Sequence, residues 1–259
     1  MILQMPEKVI ALVDGDILCW RCAASCEPTK EKEHREPVEL AILRLDEITY
    51  RILSETAATE QRIFLSGSEN FRYSIYKNYK ANRRGAPRPA WLDACREFLV
   101  REWGAEITVG YEADDGMAIA HNEQSVVISI DKDFNQLTGQ HYNFITKAHY
   151  SLDHNEAALE FWSSVIQGDR SDNIPGVKGM GPVKAKRALL GLSPEEMESR
   201  VRSYYDDERQ YLLNCRLLRL LRSEDEYYQV LEQISSGYWL NESFVEESEG
   251  TELTELDPV

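Results

Sequence analysis

Lys8-Val9-Ile10-Ala11-Leu12-Val13-Asp14-Gly15-Asp16 is the stretch that decides the fold. Its apolar run reads as a buried strand over 8–13 that ends at Asp14. A second run, Ser125-Val126-Val127-Ile128-Ser129-Ile130, ends in the same way at Asp131-Lys132-Asp133. Around these two, helical and strand patterns alternate. A helix is expected from about residue 17, a polar loop over 27–36, and a helix opened by Pro37 that runs to about 58. Strands follow at 61–65, 106–109, 125–130 and 142–146, with helices at 91–103 and 113–121. That alternation predicts an α/β fold with a mainly parallel central sheet flanked by helices. After 157 the strand signals stop, so the chain divides into an α/β core over 1–157, a helical region over 158–240 and a tail over 241–259.

In parallel sheets, ligands bind beyond the carboxyl ends of the strands, and Asp14 and Asp131 fall at such ends. Two more acidic clusters follow the same logic. Glu112-Ala113-Asp114-Asp115 opens a helix, where negative charge suits the dipole. Gly168-Asp169-Arg170-Ser171-Asp172 lies further on. Taken singly, these acids read as helix caps and first-turn residues. Taken together at one sheet edge, they repel: each pair at ~4 Å costs about 4 kcal/mol at an effective dielectric near 20. A cation among them removes that cost. Oxygen ligands without His or Cys point to magnesium or manganese rather than zinc.

The bulk numbers set bounds. The 259 residues are 42% hydrophobic and 29% charged, as in a soluble globular protein with a sizeable core. The longest apolar runs are too short to span a membrane, and the N-terminus carries no signal-peptide pattern. The five cysteines read as reduced thiols in a cytoplasm. Cys19, Cys22 and Cys26 could join His34 around a structural zinc. Their spacing also puts them on one helix face, and the buried-face reading is the stronger.

A net charge of −16 argues against a polyanionic partner until its distribution is read. Residues 241–259 carry seven acids and no base, as a solvated, disordered tail does. Residues 70–101 carry eight bases against two acids. One basic stretch in an acidic protein is what a polyanion docking beside a metal site requires. Within it, Phe71-Arg72-Tyr73-Ser74-Ile75-Tyr76-Lys77-Asn78-Tyr79-Lys80-Ala81-Asn82-Arg83-Arg84 interleaves aromatic and basic residues, which suits phosphate contact with base stacking. The competing reading is a solvated helix with its tyrosines packed inward. Further on, Gly176-Val177-Lys178-Gly179-Met180-Gly181-Pro182 makes a tight glycine turn before a helix. Such a turn exposes backbone N–H groups to a phosphate, with Lys184, Lys186 and Arg187 adding charge. The alternative is a plain helix–helix turn.

These pieces resemble, in order, the 5′ nucleases. That superfamily of flap endonucleases and 5′→3′ exonucleases includes the 5′-nuclease domain of bacterial DNA polymerase I and the bacteriophage exonucleases. The resemblance covers about residues 9–191. It rests on Leu12-Val13-Asp14-Gly15, Phe71-Arg72, Tyr79-Lys80-Ala81-Asn82-Arg83, Tyr111-Glu112-Ala113-Asp114-Asp115, Asp131-Lys132-Asp133-Phe134, and Gly168-Asp169-Arg170-Ser171-Asp172 running into the glycine turn.

The resemblance implies a PIN-like sheet followed by a helix-hairpin-helix motif. It implies that two magnesium or manganese ions are held by Asp14, Glu112, Asp114, Asp115, Asp131, Asp133, Asp169 and Asp172. Lys80 and Arg83 would act on the scissile phosphate, and Arg72, Tyr79 and Arg84 would contact nucleic acid. Gly176, Gly179, Gly181, Lys184 and Lys186 would grip the duplex, with a potassium ion at the hairpin. The implied partner is DNA with a free 5′ end or flap, or an RNA primer annealed to DNA. The implied place is a cytoplasm, that of a bacterial host for a phage protein. A weakened nucleic-acid-binding member of the same fold and a PIN-like ribonuclease are the alternatives. The family pattern also carries an aspartate after the second strand. Here Phe64-Leu65-Ser66-Gly67-Ser68 has none. Either Glu69 substitutes, or an ion has one ligand fewer, or water fills the position.

Overall fold

A computed structural model describes residues 8–239; the acidic tail expected over 241–259 lies outside the described residues. Strand β1 (Ile10–Asp14) runs straight into helix α1 (Gly15–Ala24), because Asp14 turns its Oδ1 onto the Ile17 amide at 3.1 Å and caps the helix. Helix α2 (Val38–Thr56) starts one residue after Pro37, which stands at the cap rather than in the first turn. Strand β2 (Glu60–Leu65) is followed by a short helix α3 (Phe71–Ile75) capped by Asn70. Then come α4 (Leu92–Trp103), a two-residue strand β3 (Glu106–Ile107), α5 (Ala113–Ala120) and β4 (Ser125–Ile128).

The single strand expected over 142–146 is instead a hairpin, β5 (Gly139–Asn143) and β6 (Ala148–Leu152). The Asn143 Oδ1 accepts from the amides of Ile145 and Thr146, each at 3.0 Å, and Lys147 adopts φ 58°. Those contacts reverse the chain where the apolar pattern alone suggested continuation. Helix α6 (His154–Gln167) opens the helical region, which is interrupted by a small antiparallel pair, β7 (Gly168–Asp169) and β8 (Ile174–Pro175). It then continues as α7 (Pro182–Leu189), α8 (Pro194–Arg202), α9 (Glu208–Leu218) and α10 (Glu224–Ser235).

The sheet order is β3-β2-β1-β4-β5-β6, parallel throughout except for the edge pair β5–β6. Both faces of its centre are covered, which is why β1 is apolar at successive positions rather than at alternate ones. Ala11, Val13, Ile63, Leu65 and Ile128 pack against α1, α2 and α4 on one face. Leu12, Phe64 and Val127 pack against Met117 of α5 and against Phe134 on the other. Cys19, Cys22 and Cys26 are buried within the first of these layers. Burial pushes the Cys22 thiol up to about 11, so the cysteines behave as apolar side chains.

From β1 the chain moves outward to β2 and β3, then returns to the other side of β1 for β4. The strand order therefore reverses between β1 and β4. The carboxyl ends of these two strands border the crevice where open α/β sheets take their ligands. Among the described residues no helix is long and apolar enough to cross a membrane.

Candidate active site

Ser129 links the two strand ends that border this crevice. Its hydroxyl donates to Asp14 Oδ2 at 2.8 Å and accepts the Asp131 amide at 3.0 Å. Asp131 in turn accepts the Asp133 amide at 2.9 Å, capping a 3-10 turn over Lys132–Gln136. The capping reading of these acids is thus correct for their backbone contacts: Asp14 and Asp131 each spend one oxygen on a backbone amide, and Asp14 gives its second to the Ser129 hydroxyl. The start of α5 adds Glu112 from its N-cap and Asp114 from its first turn.

The electrostatics show how close these acids are. Burial raises the Asp114 carboxyl well above its usual range, and Asp14, Glu112 and Asp131 push the same way. Asp14 is raised to about 7 by burial, with Asp16 and Asp131 adding to it against the hydrogen bonds from Ile17 and Ser129. Asp133 is raised to about 6, by burial first and then by Asp131, with Asp169 and Asp172 contributing. Like charges held together in this way call for a cation.

Two lysines supply part of that charge. Lys80 donates to Glu112 Oε1 and lies 3.7 Å from Asp172 Oδ2. Burial alone would lower its ammonium pKa, but Glu112 and Asp172 overcome that and leave it raised. The Lys80 backbone is left-handed, φ 52° and ψ 21°, and its N–H donates to the Asp172 carbonyl at 2.9 Å. A non-glycine residue in that region costs on the order of 1 kcal/mol or more, and here the contact to Asp172 holds it. Arg83 reaches the same carboxylate and donates to the Ser171 carbonyl at 2.9 Å. Lys132 Nζ lies 3.2 Å from Asp169 Oδ2 and 3.5 Å from Asp133 Oδ1. The acids fall into two groups, Asp14 and Asp131 at the strand ends with Glu112 and Asp114 from the start of α5, and Asp133, Asp169 and Asp172 beside them, with Lys80 and Tyr79 joining Glu112 to Asp172. Among the described residues no group of three or more His, Cys, Asp or Glu side chains is arranged to hold a metal ion. The side chains that line the crevice offer oxygen atoms only, the ligand type that magnesium and manganese prefer.

Three expected residues do other work. Arg72 is only 2% exposed, so it presents no cation to a nucleic acid. Its guanidinium makes a two-pronged pair with Asp115, at 2.6 and 2.9 Å, and donates to the Leu217 and Arg219 carbonyls at 2.9 and 3.0 Å. Asp115 is fully buried, and its oxygens also take the Glu112 and Leu221 amides, so both are engaged by Arg72 and the backbone and none is left for a metal. Tyr79, at 1% exposure, offers no ring face for stacking. Its hydroxyl bonds Glu112 Oε2 at 2.8 Å and Asp172 Oδ2 at 3.0 Å, and its ring packs edge-on against Tyr73. In this segment the inward-packed reading holds for Arg72 and Tyr79, whereas Arg83 and Arg84 are exposed.

The second acidic group opens into a groove of about 820 Å³ lined by Lys132, Asp169, Ser171, Gly176, Gly179 and Gly181, among others. A side chain at Gly176 would lie 2.2 Å from the Gln167 carbonyl carbon, so only glycine lets the turn close onto the end of α6. Gly179 adopts φ 79°, and Lys184 Nζ donates to its carbonyl at 3.0 Å. Lys184 and Lys186 are exposed, the latter paired with Glu160.

Ser129 and Lys132 went unread as site residues in the sequence. Ser129 carries a faint signal, a lone hydroxyl between Ile128 and Ile130 at the end of an apolar strand. Lys132 lies inside the Asp131-Lys132-Asp133 motif.

The chain matches the family model described as "5'-3' exonuclease, N-terminal resolvase-like domain" over residues 9–162. It is 30% identical over 209 residues to the flap endonuclease Xni of Pseudoalteromonas translucida (strain TAC 125), covering 72% of this chain and 80% of that protein. It is 27% identical to the thermostable DNA polymerase I of Thermus aquaticus, covering 71% of this chain but only 24% of that longer enzyme. Among solved structures, a T5 5′-exonuclease with bound divalent metal ions superposes with a TM-score of 0.60 at 19% identity, covering 88% of this chain and 98% of that one. That likeness shows the shared fold. The matched segment carries the crevice, from Asp14 through Asp133, and on that evidence the chain belongs to the 5′-3′ exonuclease family.

Proposed function

We propose that this chain hydrolyses phosphodiester bonds in DNA at or near a free 5′ end. It acts as a 5′→3′ exonuclease and flap endonuclease, in a cytoplasm, with RNA primers annealed to DNA as a further substrate. The observation that carries this reading is the pair of acidic groups at the strand-order reversal, with Lys80 and Arg83 on their rim. Asp14, Glu112, Asp114 and Asp131 would hold one divalent ion, and Asp133, Asp169 and Asp172 a second, magnesium or manganese in each case. When bound, the ions supply Lewis acidity and offset the charge of the phosphodiester.

The chain's own groups do the rest. Lys80 stays protonated among the acids and offers its ammonium to the scissile phosphate once the substrate competes for it. Arg83, about half exposed, adds a guanidinium on the outer side. Tyr79 orients Glu112 and Asp172 through its hydroxyl. Arg84 stands exposed beyond them to meet the single strand. Gly176, Gly179 and Gly181 would serve as the helix-hairpin-helix turn between α6 and α7, with Lys184 and Lys186 on the duplex phosphates and a potassium ion at the backbone carbonyls. The groove between Lys132 and this turn gives the duplex a path away from the acids.

The test is digestion of 5′-labelled duplex, flap and RNA-primed DNA with magnesium, with manganese and with chelator. Cleavage that starts at the 5′ end or flap junction and stops in chelator is the expected result. Undiminished cleavage in chelator would overturn the metal assignment. Tight binding of flaps without cleavage in either metal would favour a binding protein instead.

A further inference from the structure

Asp16, Arg96 and Ser66 close around the place where the family's additional aspartate is missing. Asp16 Oδ2 accepts the Ser66 amide at 2.8 Å. Arg96 donates from one guanidinium nitrogen to Asp16 Oδ1 and from the other to the Ser66 carbonyl. Ser66 Oγ then accepts the Ala113 amide at 2.9 Å. Ala113 is the first residue of α5, between Glu112 and Asp114, and its N–H is one of the donors a helix start leaves without an internal partner. The ion pair is half-buried, with Asp16 and Arg96 side chains 30% and 24% exposed, so its geometry is held rather than loosely solvated. One hydrogen-bonded chain thus links α4, α1, the loop after β2 and α5 at the edge of the acidic crevice.

The loop supplies no carboxylate of its own to this crevice. Glu69 is exposed, and its charge is felt by Tyr227 of α10. A side chain at Gly67 would lie 2.2 Å from the Thr108 carbonyl oxygen. The Ser66 side chain is already engaged by the Ala113 amide, and its backbone amide by Asp16. The acid near this position is Asp16, delivered from the first turn of α1, and it is neutralised by Arg96.

We infer that the Asp16–Arg96 pair is a positioning device for the metal carboxylates: it fixes Ser66 so that the hydroxyl pins the first turn of α5, and with it Glu112 and Asp114, opposite Asp14. The inference rests on the metal-dependent reading of the crevice. Groups that orient ligands from one layer out change metal affinity when they are removed, while the ligands themselves remain.

The experiment titrates full-length chain with Mn2+, following the free-ion electron paramagnetic resonance signal. It is run on wild type, Ser66→Ala, Ser66→Thr and Asp16→Ala, alongside thermal melting in chelator. Ser66→Ala and Asp16→Ala should weaken Mn2+ binding roughly 10-fold or more. Ser66→Thr, which keeps the hydroxyl, should restore wild-type binding. Turnover at saturating Mn2+ should stay near wild type in Ser66→Ala, placing the loss in affinity. Wild-type uptake with unchanged affinity in both Ala variants would overturn the inference alone. So would a loss that Thr fails to rescue and that tracks a lowered melting temperature. Wild-type protein that takes up no Mn2+ would overturn the metal reading of the crevice, and this inference with it.

Discussion

The buried Arg72–Asp115 pair separates the structural reading from the sequence expectation most sharply, and Arg72→Met is the perturbation that tests it. Methionine fills much of the arginine stem without its charge. The change strands the Asp115 carboxylate, which the structure buries completely, and removes the donors to the Leu217 and Arg219 carbonyls. Removing one partner of a buried ion pair costs about 3–5 kcal/mol, because the other charge is left uncompensated. The two freed carbonyls push toward the upper end, since each unsatisfied buried group costs about 1–3 kcal/mol. At about 2–4 °C per kcal/mol for a domain of this size, the melting temperature should fall by on the order of 6–20 °C. Urea unfolding would measure the free-energy change directly, with an unchanged slope confirming that the same surface is exposed. Arg72→Met with Asp115→Leu should recover much of the loss, as replacing a buried pair by apolar residues often does. If Arg72→Met instead costs less than ~1 kcal/mol and weakens DNA binding with a shallower salt dependence, Arg72 is a phosphate contact after all. The burial argument would then be refuted.

Three further outcomes follow from the same geometry. Asp114→Asn should abolish most activity yet raise the metal-free melting midpoint, increasingly as the pH is raised and the buried carboxyl of the wild type is forced to ionise beside Asp14, Glu112 and Asp131; a variant less stable than wild type at alkaline pH in differential scanning calorimetry would contradict that. Lys80→Ala should cut turnover roughly 100-fold or more at nearly unchanged DNA affinity, while Lys184→Ala with Lys186→Ala should weaken duplex binding and reduce the salt slope by about 1–2; one shared kinetic signature would remove the division of labour. Burial lowers the pKa of His121 and His141 below the usual 6.5, so the fold holds both rings neutral. Their contribution to stability is complete above about pH 6.5 and is lost as the pH falls from there toward the folded-state values. Replacing both with Asn should flatten that part of the stability–pH curve between about pH 7.5 and 5 in urea melts, and an unchanged curve would show that the rings titrate alike folded and unfolded.

The sequence alone determined the parallel core of the sheet and which strand ends carry acids. Strands buried on both faces write themselves as apolar runs, so the end of β1 at Asp14 and of β4 just short of Asp131 could be read directly. Glu112 and Asp114 were legible because a helix start selects acids for local reasons. Hairpin β5–β6 was not legible, since its turn depends on Asn143 side-chain bonds rather than on periodicity. Tertiary structure alone decided which charges face the crevice and which are spent internally. Asp114 and Asp115 are neighbours with the same chemistry, yet one joins the acids and the other pairs with Arg72 from α3. The same holds at Ser66, where a missing acid in the linear pattern becomes a hydroxyl held by Asp16 and Arg96. A local pattern records which face a residue occupies. The partner of a charged side chain is set by how distant elements pack, and in a low-dielectric interior that partner decides whether the charge is available for chemistry.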